Sequence, residues 1–207
     1  MPPKKGTPNR RGVARREQIL DAAVELFARQ GYRGTGLLEL AERIGISHPG
    51  ILHHFATKQD LLRAVLDRRD QFVDRVTRDF AGEGTFGLQN SQDPAEPEIV
   101  TRLMTVLRAE NLDPEDPLHD YFDERDRQTR DLIADEIRRG QQRGEIRSDV
   151  DPDTKAAEIL ALTIGLDTQW LLNPTQIDRA KIYHSYLRTL RDDLTRPDAP
   201  RRPTDDP

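Results

Sequence analysis

The 207-residue sequence contains no cysteine. Disulfides and thiolate metal sites are therefore excluded, and a reducing, cytoplasmic compartment is expected. No apolar run approaches the ~20 residues that a membrane-spanning helix needs, and no apolar stretch follows the basic N-terminal residues, so neither a membrane partner nor a secretory signal is expected. Charged residues make up 33% of the chain and hydrophobic residues 35%. This composition is polar, but it still contains enough Leu, Ile and Val to form buried cores.

Motifs typical of enzymes are also missing. There is no Ser-His-Asp arrangement, no P-loop and no metal-spaced His cluster. The segment GEGTFG at 82–87 matches the G-x-G-x-x-G pattern of dinucleotide sites, but it follows a helical pattern and enters a Pro-rich loop instead of lying in a βαβ unit. His53 and His54 are adjacent, so on a helix they point about 100° apart and do not easily share a metal. We predict no catalytic residue, metal or cofactor; a nucleotide-binding enzyme is the disfavoured alternative.

No segment alternates like a β-strand for long, and helical patterns separated by Pro- and Gly-containing junctions fill most of the chain. The fold class predicted is therefore all-α. A Pro-, Gly- and cation-rich segment at 1–12 is interpreted as a flexible basic arm, and the tail at 196–207 as disordered. Between them we predict a three-helix domain at 13–57 and a larger helical domain at 58–195. Helices are predicted to begin at Val13 and to cover about 37–44, 48–55, 58–80, 96–111, 117–143, 153–172 and 175–195.

The net charge of −5 conceals an asymmetry between the two ends of the chain. Residues 1–60 carry ten Lys+Arg and six Asp+Glu, a balance of +4, whereas residues 61–207 carry twenty-two and thirty-one, a balance of −9. The first sixteen residues contain six cations and no acid. A basic front on an acidic body indicates that the front meets a polyanion. A solvated tail without a partner is the alternative that charge alone leaves open.

The stretch AERIGISHPGILHHF, residues 41–55, predicts two helices joined by a short turn that contains Gly45, which is a helix-turn-helix. Ser47 is a suitable N-cap for the second of these helices, and Pro49 then falls in its first turn, where a missing N–H costs little. Gly50 costs up to ~1 kcal/mol in a helix. That cost is tolerable where a recognition helix approaches base edges in a major groove, or where Gly50 packs against a neighbouring helix.

Residues 15–66 resemble the DNA-binding domain of the TetR family of bacterial transcriptional regulators. Within them GILHHFATKQDLL is similar to the family's recognition-helix signature, with His54, Phe55 and Lys58 in matching positions. The resemblance implies a homodimer that places two helix-turn-helix units on a palindromic operator in double-stranded DNA. It also implies that residues 58–195 bind a small-molecule effector, which releases the DNA, and that the last two helices dimerise.

The candidate DNA contacts divide into phosphate-positioning and base-reading residues. His48, Pro49 and His53 are the candidates for base edges, because histidines can donate to guanine and proline can pack on a thymine methyl. Lys58 and, more weakly, Thr35 are candidates for phosphate. His54 and Phe55 are expected to be structural. The full predicted DNA-binding set is Arg10, Arg11, Arg15, Arg16, Thr35, Ser47, His48, Pro49, Gly50, His53 and Lys58.

The sequence departs from the family pattern at three positions. Leu52 stands where the family usually has a Tyr that contacts phosphate, and Leu38 where a polar DNA contact is frequent. Gly36 stands where a Ser or Thr commonly caps the second helix, so Thr35 is expected to substitute. A helical ligand-binding module whose head no longer binds DNA is therefore the alternative function.

Two apolar helix faces are predicted in the C-terminal half. They can form a four-helix interface between two chains or remain intramolecular core, and the resemblance favours the interface. The predicted interface residues are Leu160, Thr163, Ile164, Tyr183, Tyr186, Leu187 and Leu190. The predicted effector-lining residues, each of which can instead be ordinary core, are Phe72, Val76, Phe80, Met104, Leu107, Tyr121, Phe122 and Trp170.

Overall fold

A computed structural model of the chain describes residues 10–80 and 97–195, with only the backbone described at 72–80. All regular structure in these residues is α-helical, which confirms the all-α prediction. The helices are α1 Arg10–Gly34, α2 Leu37–Ile44, α3 His48–His54, α4 Lys58–Phe80, α5 Glu98–Ala109, α6 His119–Gln142, α7 Pro152–Leu172 and α8 Arg179–Thr195. No helix among the described residues is both long and apolar enough to cross a membrane.

The described residues form two compact units. One comprises residues 10–78 and 97–118, and the other residues 79–80 and 119–195. The first unit is larger than the three-helix domain predicted at 13–57, because α4 and α5 contribute to its core. Its buried apolar side chains come from all five helices and from Phe55 after α3. They include Ile19, Ala23, Leu26, Phe27, Leu40, Ala41, Ile51, Phe55, Leu61, Leu62, Val65, Leu66, Leu103 and Leu107.

The first helix differs from its prediction at its start. It begins at Arg10 and not at Val13, so Arg10 and Arg11 are helical residues and not part of a flexible arm. Residues 1–9, the tail at 196–207 and the GEGTFG segment at 82–87 lie outside the described residues. From the sequence we also expect Gly31, in the segment QGYRG, to end the first helix in the left-handed conformation. Gly31 does interrupt α1 with a φ of 75°, and a single helical turn then reaches Gly34, but its ψ of 174° is extended and not left-handed helical.

The second unit packs α6 against α7 and α7 against α8. Its core joins Ile137 on α6 and Ile159 on α7 to Leu187 and Leu190 on α8. The backbone N–H of Arg147 also donates to the carbonyl oxygen of Leu194 at 2.9 Å, which fastens the α6–α7 connection to α8. Leu187 and Leu190, which we predicted as interface residues, are therefore intramolecular core: both are only 4% exposed.

Candidate nucleic-acid interface

The helix-turn-helix forms as its glycine and capping residues predict. Gly45 ends α2 in the left-handed conformation, with φ 67° and ψ 39°. Its N–H donates to the Glu42 carbonyl, and the N–H of Ile46 donates to the Ala41 carbonyl at 3.0 Å. These two bonds satisfy carbonyls that the end of the helix would otherwise leave without donors. Ala41 is almost fully buried at the close approach, as expected from its small size.

The start of α3 is fixed by Ser47. Its hydroxyl oxygen accepts the N–H of Gly50 at 3.2 Å, so the predicted N-cap is confirmed, and Pro49 lies in the first turn. A Cβ built on Gly50 would lie 3.3 Å from the Ser47 Oγ and 3.8 Å from the Ile46 side chain. The tightest neighbour of Gly50 is thus the capping hydroxyl of its own turn and not another helix.

The outer face of α3 and the start of α2 carry the exposed side chains that concern DNA binding. The three candidates for base contacts, His48, Pro49 and His53, are all exposed. Leu38 and Leu52 are also exposed, by 60% and 39% respectively. These two leucines occupy the positions where the family resemblance leads us to expect polar contacts, so the surface combines imidazole groups with bare apolar side chains.

Four arginines occupy the first two turns of α1, and the first turn contains no acidic residue. Cations at a helix N-terminus are unfavourable, because the helix dipole places partial positive charge there. Arg11 and Arg15 are four residues apart and lie on one side of the helix. A locally unfavourable charge arrangement is typical of residues selected for binding and not for stability.

Arg16 is held against α3. Its guanidinium donates to the carbonyl oxygen of His54 at 3.3 Å and lies 4.1 Å from the ring centroid of Phe55. Phe55 is buried, as predicted for a core residue. Arg16 therefore ties α1 to the end of α3, a role that the sequence did not reveal.

The half-buried His54 lies at the last position of α3, beside His53. Burial lowers the pKa of His54, and the charges of His53, Arg16 and Arg15 lower it further. The neutral imidazole is thus favoured at this position. A structural role for His54 is consistent with these surroundings.

Lys58, the first residue of α4, also has neighbours within the chain. Its ammonium lies 4.3 Å from the ring centroid of Tyr32. Burial lowers the pKa of Lys58, and the carboxylate of Glu110 opposes that shift by raising it. In the sequence, Thr57 followed three residues later by Asp60 predicts a short-armed capping box at the start of α4. The structure confirms it, since each side chain accepts the other's backbone N–H, at 3.0 and 3.1 Å.

Thr35 does not occupy the place that we predicted for it. It is only 3% exposed, and its hydroxyl donates to the carbonyl oxygen of Gly31 at 2.8 Å. Gly36 is the N-cap residue of α2, and no side chain caps that helix. Because Thr35 turns inward to close the end of α1, it neither substitutes as a cap nor presents its hydroxyl to a phosphate.

The predicted effector-lining residues are divided between the two units. Met104 and the fully buried Leu107 belong to the first unit, whereas Tyr121, Phe122 and Trp170 belong to the second. The ring of Trp170 is covered by the guanidinium of Arg179 at 4.3 Å. The predicted residues Phe72, Val76 and Phe80 fall where only the backbone is described.

An open cleft of about 350 Å³ lies between α7 and α8 in the second unit. Lys155, Glu158 and Asp193 give it charged walls, and the Lys155 ammonium lies 2.6 Å from the Glu158 carboxylate. None of the predicted effector-lining residues contributes to it. Among the predicted interface residues, Tyr186 and Leu190 do.

This arrangement defines a helical protein with an N-terminal helix-turn-helix and a separate C-terminal helical unit, and comparison with known proteins gives its family. Residues 19–65 match the family model described as bacterial regulatory proteins, tetR family. Residues 92–195 match the model described as BetI-type transcriptional repressor, C-terminal. The chain belongs to the TetR family of bacterial transcriptional regulators, which is not a family of enzymes.

Individual relatives agree with this assignment. The HTH-type transcriptional repressor Rv1474c of Mycobacterium tuberculosis is 33% identical over 144 residues, which cover 68% of this chain and 74% of that protein. The HTH-type transcriptional activator FasR of Mycolicibacterium smegmatis is 45% identical over 74 residues, only 33% of this chain and 34% of that protein. A TetR-family regulator from Cytophaga hutchinsonii shares the fold, with a TM-score of 0.72 and 20% identity over 89% of this chain and 96% of its own.

Proposed function

We propose that this regulator is a repressor, which binds a palindromic operator as a homodimer in the cytoplasm and is released by a small-molecule effector. The observation that carries the DNA-binding part is the position of Arg10, Arg11 and Arg15 in the first two turns of α1. Those cations oppose the helix dipole. A phosphate backbone next to them removes the conflict and supplies most of the nonspecific affinity.

Base reading is assigned to α3. His48 and His53 are exposed and can donate to guanine N7 or O6, while Pro49 offers an apolar contact to a thymine methyl. Ser47 keeps a hydroxyl proton for a phosphate oxygen, because its cap uses the oxygen only as an acceptor. Gly50 has no side chain that would hold α3 away from the base edges. Lys58 is assigned to a phosphate. Arg16 and Thr35 are not assigned, since both are engaged within the chain.

The homodimer is assigned to the outer face of α7 together with α8. Leu160, Thr163 and Ile164 remain half-buried within one chain, and Ile182 on α8 is 39% exposed. Tyr183 and Tyr186 pack partly against the core and complete this surface. We expect Ile164→Arg to yield monomers in size-exclusion chromatography with light scattering. Leu132→Arg, at a 61% exposed leucine on α6, is the control that should remain dimeric.

Repression, as opposed to activation, is supported by the share of each relative's length that this chain matches. The protein named a repressor is matched over 74% of its length, which includes residues outside the helix-turn-helix. The protein named an activator is matched over 34%. The description of the C-terminal family model also names a repressor. The effector is assigned to the C-terminal unit without a chemical identity.

Footprinting on the DNA adjacent to the gene, repeated with candidate small molecules, tests the function. We expect a protected palindrome that disappears with the effector. The variant His48→Ala/His53→Ala should lose the footprint while keeping nonspecific binding at low salt. The alternative is a ligand-binding module without DNA binding, and the exposed Leu38 and Leu52 support it. It predicts that the wild-type protein retards no DNA in a gel.

A further inference from the structure

The carboxylate of Glu110 reaches the end of the first helix from 78 residues away in sequence. It accepts the backbone N–H of Tyr32 at 2.7 Å. The approach is close: a Cβ placed on Gly31 would lie 1.9 Å from a carboxylate oxygen of Glu110. Nearby, Arg33 forms an ion pair with Asp116. The segment after α5 is thus fastened to the turn that precedes α2 by two acidic side chains.

Lys58 rests on the same turn. Its ammonium lies 4.3 Å from the ring of Tyr32, the residue whose N–H is bound by Glu110. The positive charge is thus attracted both to the face of the ring and to the carboxylate. The effect of the Glu110 carboxylate on the pKa of Lys58 has the same sign. No Lys58–Glu110 hydrogen bond is needed for this attraction to act.

We propose that Glu110 lowers the affinity of this regulator for DNA by competing with phosphate for the ammonium of Lys58. This inference rests on the proposed function, which assigns Lys58 to a phosphate. When the protein binds DNA, the Lys58 ammonium must leave the Tyr32 ring and move away from the Glu110 carboxylate. The attraction that is lost offsets part of the free energy gained from the new phosphate contact. Glu110 lies at the C-cap of α5, outside the helix-turn-helix, and makes α5 part of the determinant of affinity.

Removal of the carboxylate charge tests the competition. Glu110→Gln keeps an oxygen that can accept the Tyr32 N–H while it removes the charge. We expect it to tighten binding to operator and to random DNA about two- to fivefold at low salt, the range of an exposed ion pair. Glu115→Gln removes the same charge from an exposed position five residues away and controls for the general loss of negative charge. It should tighten binding by less.

A double-variant experiment with Lys58 distinguishes the competition from a merely structural role of Glu110. In a Lys58→Met background, Glu110→Gln should have no more effect than Glu115→Gln, because no ammonium is left for the carboxylate to attract. Tyr32→Leu, which keeps the N–H but removes the ring, is a second variant for the case in which Glu110→Gln folds poorly. It should also tighten binding only when Lys58 is present.

The outcomes separate this inference from the proposed function. Unchanged or weaker binding of Glu110→Gln, or the same gain with and without Lys58, overturns the competition while DNA binding stands. If the wild-type protein binds no DNA, the proposed function fails. If Lys58→Met binds DNA as well as the wild type, Lys58 does not contact a phosphate. The competition is then overturned too, while DNA binding by the rest of the surface stands. A gain that depends on Lys58 supports the proposal.

Discussion

The guanidinium of Arg16 on α1 lies 4.1 Å from the ring centroid of Phe55, the C-cap residue of α3, and donates to the carbonyl oxygen of His54. One arginine therefore satisfies a carbonyl at the end of α3 and covers the ring of the buried Phe55. The orientation of α3 depends on this contact, because α3 has only seven residues and a single fully buried apolar side chain, Ile51.

Replacement of Arg16 should reduce stability as well as DNA binding. We expect Arg16→Ala to lower the free energy of unfolding by about 1 kcal/mol, from a cation–π contact and a charge-assisted hydrogen bond at a partly exposed site. Arg15→Ala, one position earlier, is the matched variant and should change the free energy of unfolding by less than about 0.5 kcal/mol. Urea denaturation measures both. Equal losses for the two variants would mean that the Arg16 contact does not stabilise α3.

The other three arginines in the first two turns of α1 should act through phosphate. Replacing Arg10, Arg11 and Arg15 together by Gln should weaken binding to operator and to random DNA alike. It should also flatten the slope of log Kd against log salt concentration by up to ~3, one for each phosphate that the arginines no longer neutralise. Fluorescence anisotropy across a salt series gives the slope. Arg29→Gln, at the other end of α1, is the control, and a slope unchanged by the triple replacement would contradict the assignment.

The sequence predicted features that depend on local geometry. The Gly45 turn, the Ser47 cap and the Thr57–Asp60 capping box each involve residues within five positions of one another, so spacing alone identifies them. The predicted fold class was correct because apolar residues recur at helical spacing throughout the chain.

Features that depend on distant contacts could not be predicted in this way. Nothing in the spacing indicates that Glu110 binds the turn at Tyr32, or that Leu187 and Leu190 face the core of their own chain. Thr35 was mistaken for a cap because the inward turn of its hydroxyl depends on the backbone break at Gly31. An apolar face has the same periodicity whether it meets its own chain or a partner.

Two glycines with positive φ should respond differently to a methyl group. Gly45 has nothing within 4 Å of its would-be Cβ, so Gly45→Ala should cost only the backbone strain of about 1–2 kcal/mol. Gly31 has φ 75° and ψ 174°, a region nearly restricted to glycine, and its Cβ would also overlap Glu110. We expect Gly31→Ala to cost more than about 3 kcal/mol by denaturant unfolding.

The overlap at Gly31 can be measured separately from the strain. In the double variant Gly31→Ala/Glu110→Ala the overlap is relieved while the strain remains, so the loss relative to Glu110→Ala alone should be smaller than the loss that Gly31→Ala causes in the wild type. Additive losses for the two single changes would show that Glu110 does not restrict this position.

The lowered pKa of His54 predicts a pH dependence of stability. Folding lowers that pKa below its ordinary value of about 6.5, so the unfolded chain binds the proton more tightly than the folded chain does. The free energy of unfolding should therefore fall as the pH falls through about 6.5, and this contribution should level off below the folded-state pKa. Urea denaturation of the wild type and of His54→Gln between pH 5 and 8 isolates the effect. Parallel curves would exclude it, and Arg16→Gln should reduce it.

The exposed Leu52 offers a gain-of-function test of the DNA-facing surface. In the family a tyrosine usually contacts phosphate at this position, so Leu52→Tyr should add one hydrogen bond, worth about 1 kcal/mol or roughly a fivefold lower Kd. Leu52 is already 39% exposed, and the change should cost little stability. Leu112→Tyr, at a leucine that is 72% exposed elsewhere in the same unit, is the matched control. Anisotropy titrations with operator and random DNA measure both variants. Equal Kd values for wild type, Leu52→Tyr and Leu112→Tyr would mean that the outer face of α3 does not approach the phosphate backbone at Leu52.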